Sequence, residues 1–294
     1  RQNACRLGRM WRRAGVLLLS AIGVGDAAPT EIENLPYDTR YGDSTKLDLY
    51  LPNQSGPQPT IMLIHGGAWR WGDKRHFDNA ARRFARSGYV AASINYRLVP
   101  EGAFPNAPRD TACALAFLQK NADQYGIDPK RIAVMGYSAG GHLASLLGVA
   151  YDEDSIAPDC DSGRPERPAA VIPGAGAHDL RERADAKWIQ EFMGGTLEEL
   201  PDEYAEASPI AQIDPGEPPF LLVSGGGDWI GAEGQARRMR DALRAVGTEA
   251  DELRLAGGGH LLQPGADPGE LQLEVLLETP EAWLVIADFL ARQI

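Results

Sequence analysis

The chain has 294 residues, 44% of them hydrophobic and 24% charged, and a formal net charge of −12. This is near the upper size for one hydrophobic core, with the composition of an ordinary soluble globular protein. So acidic a chain lacks the basic face that phosphate recognition needs, which excludes nucleic acid as a partner and adsorption to an anionic membrane, but leaves a neutral small substrate open.

At the N-terminus, Arg12-Arg13 precedes an apolar run from Ala14 to Gly25, then Asp26-Ala27-Ala28-Pro29. A basic start, a short apolar stretch and small residues at a plausible cut site have the form of a secretory signal peptide, the alternative being a disordered apolar tail. Met10 offers a start codon within it. Residues 1–27 are therefore expected to be a signal, leaving 28–294 as a single domain exported to the periplasm or the medium. The run is too short to span a bilayer comfortably, so no stable membrane insertion is expected after cleavage.

Beyond residue 30, apolar runs alternate with helical patterns. Thr45–Leu51 alternates at period two, as a half-buried antiparallel strand would. Residues 60–64, 89–94, 131–135, 170–173 and 220–224 are short continuous apolar runs, which suit strands covered on both faces. Amphipathic segments fall at about 77–87, 107–125, 139–150, 233–246 and 281–293. The alternation predicts an α/β domain with a doubly wound, mostly parallel sheet. The stretch 152–168 reads as a surface loop. Residues 181–218 break the strand–helix rhythm and are expected to form a small helical insertion over the C-terminal edge of the sheet, where the sites of such folds lie.

Cys5 falls within the leader, leaving Cys113 and Cys160. Cys113 lies on an apolar helix face, so a buried free thiol and a disulfide both fit. There is no Cys-x-x-Cys pair or Cys/His cluster of metal-site type, and no metal is implied.

Gly136-Tyr137-Ser138-Ala139-Gly140 sits between a predicted strand and a predicted helix, the setting of a nucleophile elbow. Glycine at both ends permits a turn in which side chains would collide. The turn holds Ser138 Oγ over the sheet edge, with the Ala139 N–H at the start of the helix. His65-Gly66-Gly67-Ala68-Trp69 directly follows another strand. Its small residues let backbone N–H groups approach a substrate carbonyl, and Gly67 and Ala68 are the preferred oxyanion donors, each such donor contributing about 2.7–4 kcal/mol. His65 itself is expected to brace this loop.

Among five histidines, His260 follows the strand-like run Asp251–Leu255 and three glycines, on a loop that can return an imidazole to Ser138. Asp228, in Ser224-Gly225-Gly226-Gly227-Asp228, follows a strand end and precedes His260, which suits the chain order of nucleophile, acid and base. Asp179 is its rival, and Asp110 reads as a capping or packing carboxylate. Trp69, Trp71 and Trp229 lie near this constellation, either as an aromatic wall of the substrate site or as core packing; Trp69 and Trp229 are taken as the substrate-binding candidates.

These pieces resemble the bacterial esterase branch of the α/β-hydrolases, near the hormone-sensitive-lipase-like and feruloyl/acetyl-esterase-like carboxylesterases. The matching segments are His65–Trp69, Asn95–Glu101 with Phe104-Pro105, Asp128-Pro129, Gly136–Ala144, Ala207–Ile210, Pro218–Leu221, Asp228 and His260, so the likeness covers roughly residues 40–290. The lipase-like branch usually carries Asp before the nucleophile and a third glycine after the histidine, where this chain has Tyr137 and Ala68. Trp69 and the Gly140-Gly141-His142-Leu143-Ala144 run resemble the feruloyl-esterase-like and kynurenine-formamidase-like branches instead. The resemblance implies hydrolysis of short-chain carboxylic esters through an acyl-enzyme on Ser138, with no cofactor. The expected substrate is a small-molecule or carbohydrate-linked ester, including acetyl or feruloyl esters of plant polysaccharide. An aryl formamidase using the same triad is the alternative. A catalytically inactive hydrolase fold that only binds is the reading from a different class.

Overall fold

The computed structural model describes residues 28–226, 228, 232–255, 277 and 279–294; the leader-like segment 1–27 lies outside them. Eight strands form one sheet: β1 (Thr30–Pro36), β2 (Lys46–Leu51), β3 (Gln58–Ile64), β4 (Val90–Ile94), β5 (Ile127–Tyr137), β6 (Ala170–Gly174), β7 (Phe220–Gly225) and β8 (Ala250–Leu255). Their spatial order is β1-β2-β4-β3-β5-β6-β7-β8. β2 pairs antiparallel with β1 and β4, and every later pairing is parallel.

Continuous apolar runs form the central strands because both faces are covered. Along β3, Ile61 and Leu63 face one side with Phe77, Ala81 and Phe84 around helix α1 (Asp78–Arg86), and with Ile286 and Phe289 of the last helix, Pro280–Gln293. Met62 and Ile64 face the other side, where three helices lie: α2 (Asn106–Lys120), α4 (Ala139–Ala150, after the short α3, Ala122–Tyr125) and, further along the chain, Ala232–Ala245. The sheet is doubly wound, as its sequence pattern predicts.

Two strands depart from expectation. β1 was not anticipated: Thr30-Glu31-Ile32-Glu33-Asn34-Leu35-Pro36 is an edge strand, mostly exposed, whose register shifts between Ile32 and Leu35. Such a strand buries too little to imprint a hydrophobic pattern. In β2 the four middle residues are all buried rather than alternating. Its polar member, Asp48, is paired by Lys74 Nζ at 2.6 Å, with both side chains nearly sealed from water, so a period-two pattern disguised a strand covered on both sides.

Between β6 and β7 the chain makes 3-10 turns at Leu180–Arg183 and Pro209–Ala211 and two short helices, α5 (Lys187–Met193) and α6 (Pro201–Glu206). This insertion is pinned over the strand ends. His142 Nε2–H donates to Ala207 O at 2.8 Å, Phe104 N–H to Phe192 O at 2.7 Å, and Ile210 N–H to His178 O at 3.0 Å. The closing helices, α7 (Ala232–Ala245) and α8 (Pro280–Gln293), complete the two layers. Among the described residues, no helix is long and apolar enough to cross a membrane.

Cys113 of α2 and Cys160 of the 152–168 loop form a disulfide, their Cα atoms 6.2 Å apart and 47 residues apart in sequence. Closing a loop of that length is worth about 4 kcal/mol through lost freedom of the unfolded chain. The double variant Cys113→Ala/Cys160→Ala should therefore lose most of that amount in a urea titration. Reductant should lower the midpoint of the parent to the variant's value and leave the variant unmoved.

Candidate active site

The parallel register sets the stage. Ile64 pairs with Gly136, and Tyr137 with Gly174, so the segments leaving β3, β5 and β6 emerge side by side at the C-terminal edge of the sheet. Ser138 sits at φ 52°, ψ −115°, the one residue between β5 and α4. A non-glycine residue with positive φ is strained and persists only where its surroundings hold it. Here the Ser138 N–H donates to Gly174 O at 2.8 Å, and the His142 N–H returns to Ser138 O at 3.0 Å. A Cβ on Gly136 would stand 2.1 Å from Gly140 O, and one on Gly140 2.0 Å from Ile64 O. Side-chain-free backbone at both ends is what lets the elbow close.

The loop after β3 carries three successive positive φ values: Gly67 114°, Ala68 49° and Trp69 56°. Gly67 O accepts from the Arg70 and Trp71 N–H groups, tightening the turn. Among the described residues, the Gly67 and Ala68 N–H groups find no hydrogen-bond acceptor, and the Ala139 N–H lies in the first turn of α4, where no intrahelical acceptor exists. The loop leans on the elbow: a Cβ on Gly66 would lie 2.8 Å from Tyr137 O and 3.3 Å from Ser138 Cβ.

His65 braces this loop. Its Nδ1–H donates to Gly66 O at 2.8 Å, its ring stacks on Tyr96 at 4.3 Å, and its own carbonyl accepts from Tyr96 Oη at 3.0 Å. Burial pushes its pKa down to about 4. His142 and His178 are also buried, and burial lowers them to about 4 and about 3. His178 Nδ1 lies 3.2 Å from Ser145 Oγ, away from Ser138. His76 Nδ1 accepts the Asp73 N–H in a capping box. Each of these four rings has a structural task, and His260 lies outside the described residues.

Asp228 follows the end of β7, half-buried, with its N–H on Gly225 O at 3.2 Å. The Tyr137 hydroxyl has its pKa raised by burial first and then by the charge of Asp228. The rival Asp179 is spoken for. It binds Arg181 Nε at 2.7 Å and Nη2 at 2.8 Å and caps the 3-10 turn at 180–183. Asp110 clamps Arg97 through Nε at 2.8 Å, Nη2 at 2.7 Å and the backbone N–H at 2.9 Å, fixing the 95–101 loop against α2.

The tryptophans divide. Trp69 is 1% exposed, stacked on Phe192 at 4.2 Å and on Trp188 at 5.7 Å, with His142 edge-on. Of the two readings open to it, its surroundings are those of core packing. Trp71, not chosen from sequence, is 46% exposed. Its two-residue offset from Trp69 carries no hint of this, because the turn at Gly67, not a strand or helix period, decides which ring points outward. Trp229 lies outside the described residues.

A doubly wound sheet with a strained serine between β5 and α4, facing a glycine-rich loop after β3, is the architecture of an α/β-hydrolase esterase. The chain belongs to the BD-FAE family, whose model matches residues 47–243. It is 32% identical over 213 residues to Esterase LipC of Mycobacterium tuberculosis, covering 69% of this chain and 53% of that protein. It is 30% identical over 210 residues to an ethyl acetate hydrolase of Pseudomonas putida, covering 69% of this chain and 64% of that one. The chain thus spans between half and two thirds of the length of these relatives. A solved structure described as a truncated carbohydrate esterase from gut microbiota shares the fold at a TM-score of 0.78 and 24% identity, over 91% of this chain and 97% of its own.

Proposed function

We propose that the protein hydrolyses short-chain carboxylic esters through an acyl-enzyme on Ser138. The observation that carries this reading is the serine held at φ 52° over the sheet edge, beside a loop whose Gly67 and Ala68 N–H groups have no other acceptor among the described residues. His260 takes the Ser138 proton as Oγ attacks the acyl carbon; Asp228 orients the imidazole and stabilises the imidazolium. The negative charge that develops on the acyl oxygen is stabilised by the N–H groups of Gly67, Ala68 and Ala139. The alcohol leaves with the proton from His260, and water repeats the attack on the acyl group. Assignment of the base to His260 is supported by the four other rings being engaged elsewhere, and of the acid to Asp228 by Asp179 being tied to Arg181.

A short acyl group is supported by the relative named an ethyl acetate hydrolase. Of the small-molecule and carbohydrate-linked esters expected as substrates, we favour the carbohydrate-linked ester, because an exported esterase of this type meets acylated plant polysaccharide. Export to an oxidising compartment is supported by the Cys113–Cys160 disulfide, since such bonds persist where thiols are not kept reduced.

The test is hydrolysis of p-nitrophenyl acetate, butyrate and octanoate, together with labelling by a fluorophosphonate probe. Rates should fall with chain length, and label should appear on the parent but not on Ser138→Ala. Folded parent protein that neither labels nor cleaves any ester would move the site to the binding-only reading; cleavage of an aryl formamide alone would identify the amide-directed alternative.

A further inference from the structure

The N–H groups of Gly67 and Ala68 lie in a turn that its own residues do not favour. Ala68 at φ 49° and Trp69 at φ 56° are consecutive side-chain-bearing residues in the left-handed region. Such backbone is strained, and it persists only where its neighbours over-determine it. The main chain supplies part of the hold: Trp69 O accepts the Val99 N–H at 2.9 Å, and Gly67 O accepts from Arg70 and Trp71. The rest comes from a distant segment. The Trp69 indole lies flat on Phe192, with 4.2 Å between centroids and 13° between planes, and stacks with Trp188 at 5.7 Å. The next residue is held as well, Arg70 Nε meeting Glu191 at 3.0 Å. Trp188, Glu191 and Phe192 all belong to α5, so one short helix of the insertion grips both residues that follow Ala68.

Phe192 is the centre of that grip. It is fully buried, with His142 edge-on at 5.5 Å and Phe104 at 6.3 Å, and its carbonyl accepts the Phe104 N–H at 2.7 Å. His142 also meets Trp69 edge-on at 5.1 Å, and it lies one turn beyond Ser138 on α4. Indole, phenyl and imidazole thus form one joint between the oxyanion loop, the insertion and the helix that starts at the nucleophile. The dihedrals of Ala68 and Trp69 decide both where the indole points and where the Ala68 N–H points. Relaxation of either residue to right-handed backbone would lift the indole out of the joint. The stack therefore opposes the same relaxation that would turn the donor away from the acyl oxygen.

We infer that Phe192 is a positioning residue for ester hydrolysis: stacked on Trp69, it holds the Gly67 and Ala68 donors in place, acting through Trp69 rather than on substrate. Its consequence rests on the ester-hydrolase reading, and two readouts keep the two separable. Phe192→Leu keeps a buried apolar side chain but loses the flat face. Per site titrated with fluorophosphonate, kcat on p-nitrophenyl acetate should fall about tenfold, with KM changed by less than about twofold. In the Ala68→Gly background, where left-handed backbone is no longer strained, the same substitution should cost about threefold or less. An equal loss in both backgrounds, a loss carried by KM, or no loss overturns the proposal. If circular dichroism shows that Phe192→Leu does not fold, Phe192→Met makes the same comparison. The second readout needs no turnover: hydrogen–deuterium exchange of residues 65–72 should be at least about threefold faster in Phe192→Leu, with β5 unchanged. Unchanged exchange there, or an equal rise in β5, overturns the proposal even for an active esterase. Faster exchange there in a protein that cleaves no ester keeps the hold of Phe192 on the loop and sinks only the ester-hydrolase reading.

Discussion

Replacing Asp228 with asparagine should lower kcat on p-nitrophenyl acetate by about 10⁴-fold, while Asp179→Asn changes it by less than about tenfold. The asparagine keeps the geometry but offers its amide to the imidazole, which then presents the wrong tautomer to Ser138. The Asp179 carboxylate does another job: it accepts the Arg181 N–H at 3.1 Å, grips the guanidinium of Arg181, and receives the Ser208 hydroxyl at 3.5 Å. Its loss should cost stability, not chemistry. Ser138→Ala sets the floor, at about 10⁶-fold below the parent. A burst-phase experiment with the three variants checks the order, with circular dichroism to confirm folding. If Asp179→Asn shows the larger loss, the acid belongs to the loop after β6, and Asp228 is only a neighbour of Tyr137.

The protein should also lose stability steeply in mild acid, by about 4 kcal/mol per pH unit between roughly pH 5.5 and 4.5. His65, His142 and His178 are buried, and burial holds their pKa values at about 4, 4 and 3. In the unfolded chain the same rings take up protons near pH 6.5. Above that value all three are neutral in both states, and their contribution is fully present. As the pH falls, the unfolded state binds up to three protons that the folded state refuses, so unfolding becomes easier until the folded rings titrate in turn. Protonation in place would put charge on ring nitrogens that meet no partner among the described residues: His65 Nε2, His142 Nδ1 and His178 Nε2. Against a typical total of about 5–15 kcal/mol, this loss unfolds the domain while most carboxylates are still ionised. Urea midpoints measured from pH 7.5 to 4.5 test the slope. Each ring that accepts its proton inside the fold would remove about a third of the slope, so a flat profile down to pH 5 would mean that all three do.

How much of this was legible beforehand differs from element to element. The five strands from β3 to β7 were visible because each is covered on both faces, and burial on both faces leaves an unbroken apolar run. The elbow was visible because two glycines bracket Ser138, and the collisions at Gly136 and Gly140 with backbone oxygens show why no side chain is tolerated there. β1 was invisible because an exposed edge strand makes no demand on side-chain pattern. Asp48 misled, because a buried ion pair with Lys74, distant in sequence, made a covered strand look half-exposed.

The sequence by itself determined the doubly wound sheet, the strand–serine–helix turn and the small-residue loop after β3, because local chemistry dictates each: chain period, glycine spacing and backbone sterics. Only the tertiary structure decided the rest. It joined Cys113 to Cys160, brought the charge of Asp228 to bear on Tyr137, and buried Trp69 under Phe192 while Trp71 stayed exposed beside Gly67. Those outcomes depend on which distant segments arrive at the same strand ends. Two tryptophans two residues apart present the same local sequence signal; the turn at Gly67 sends their rings different ways, and Trp188 and Phe192 of the insertion then cover Trp69 while Trp71 faces water.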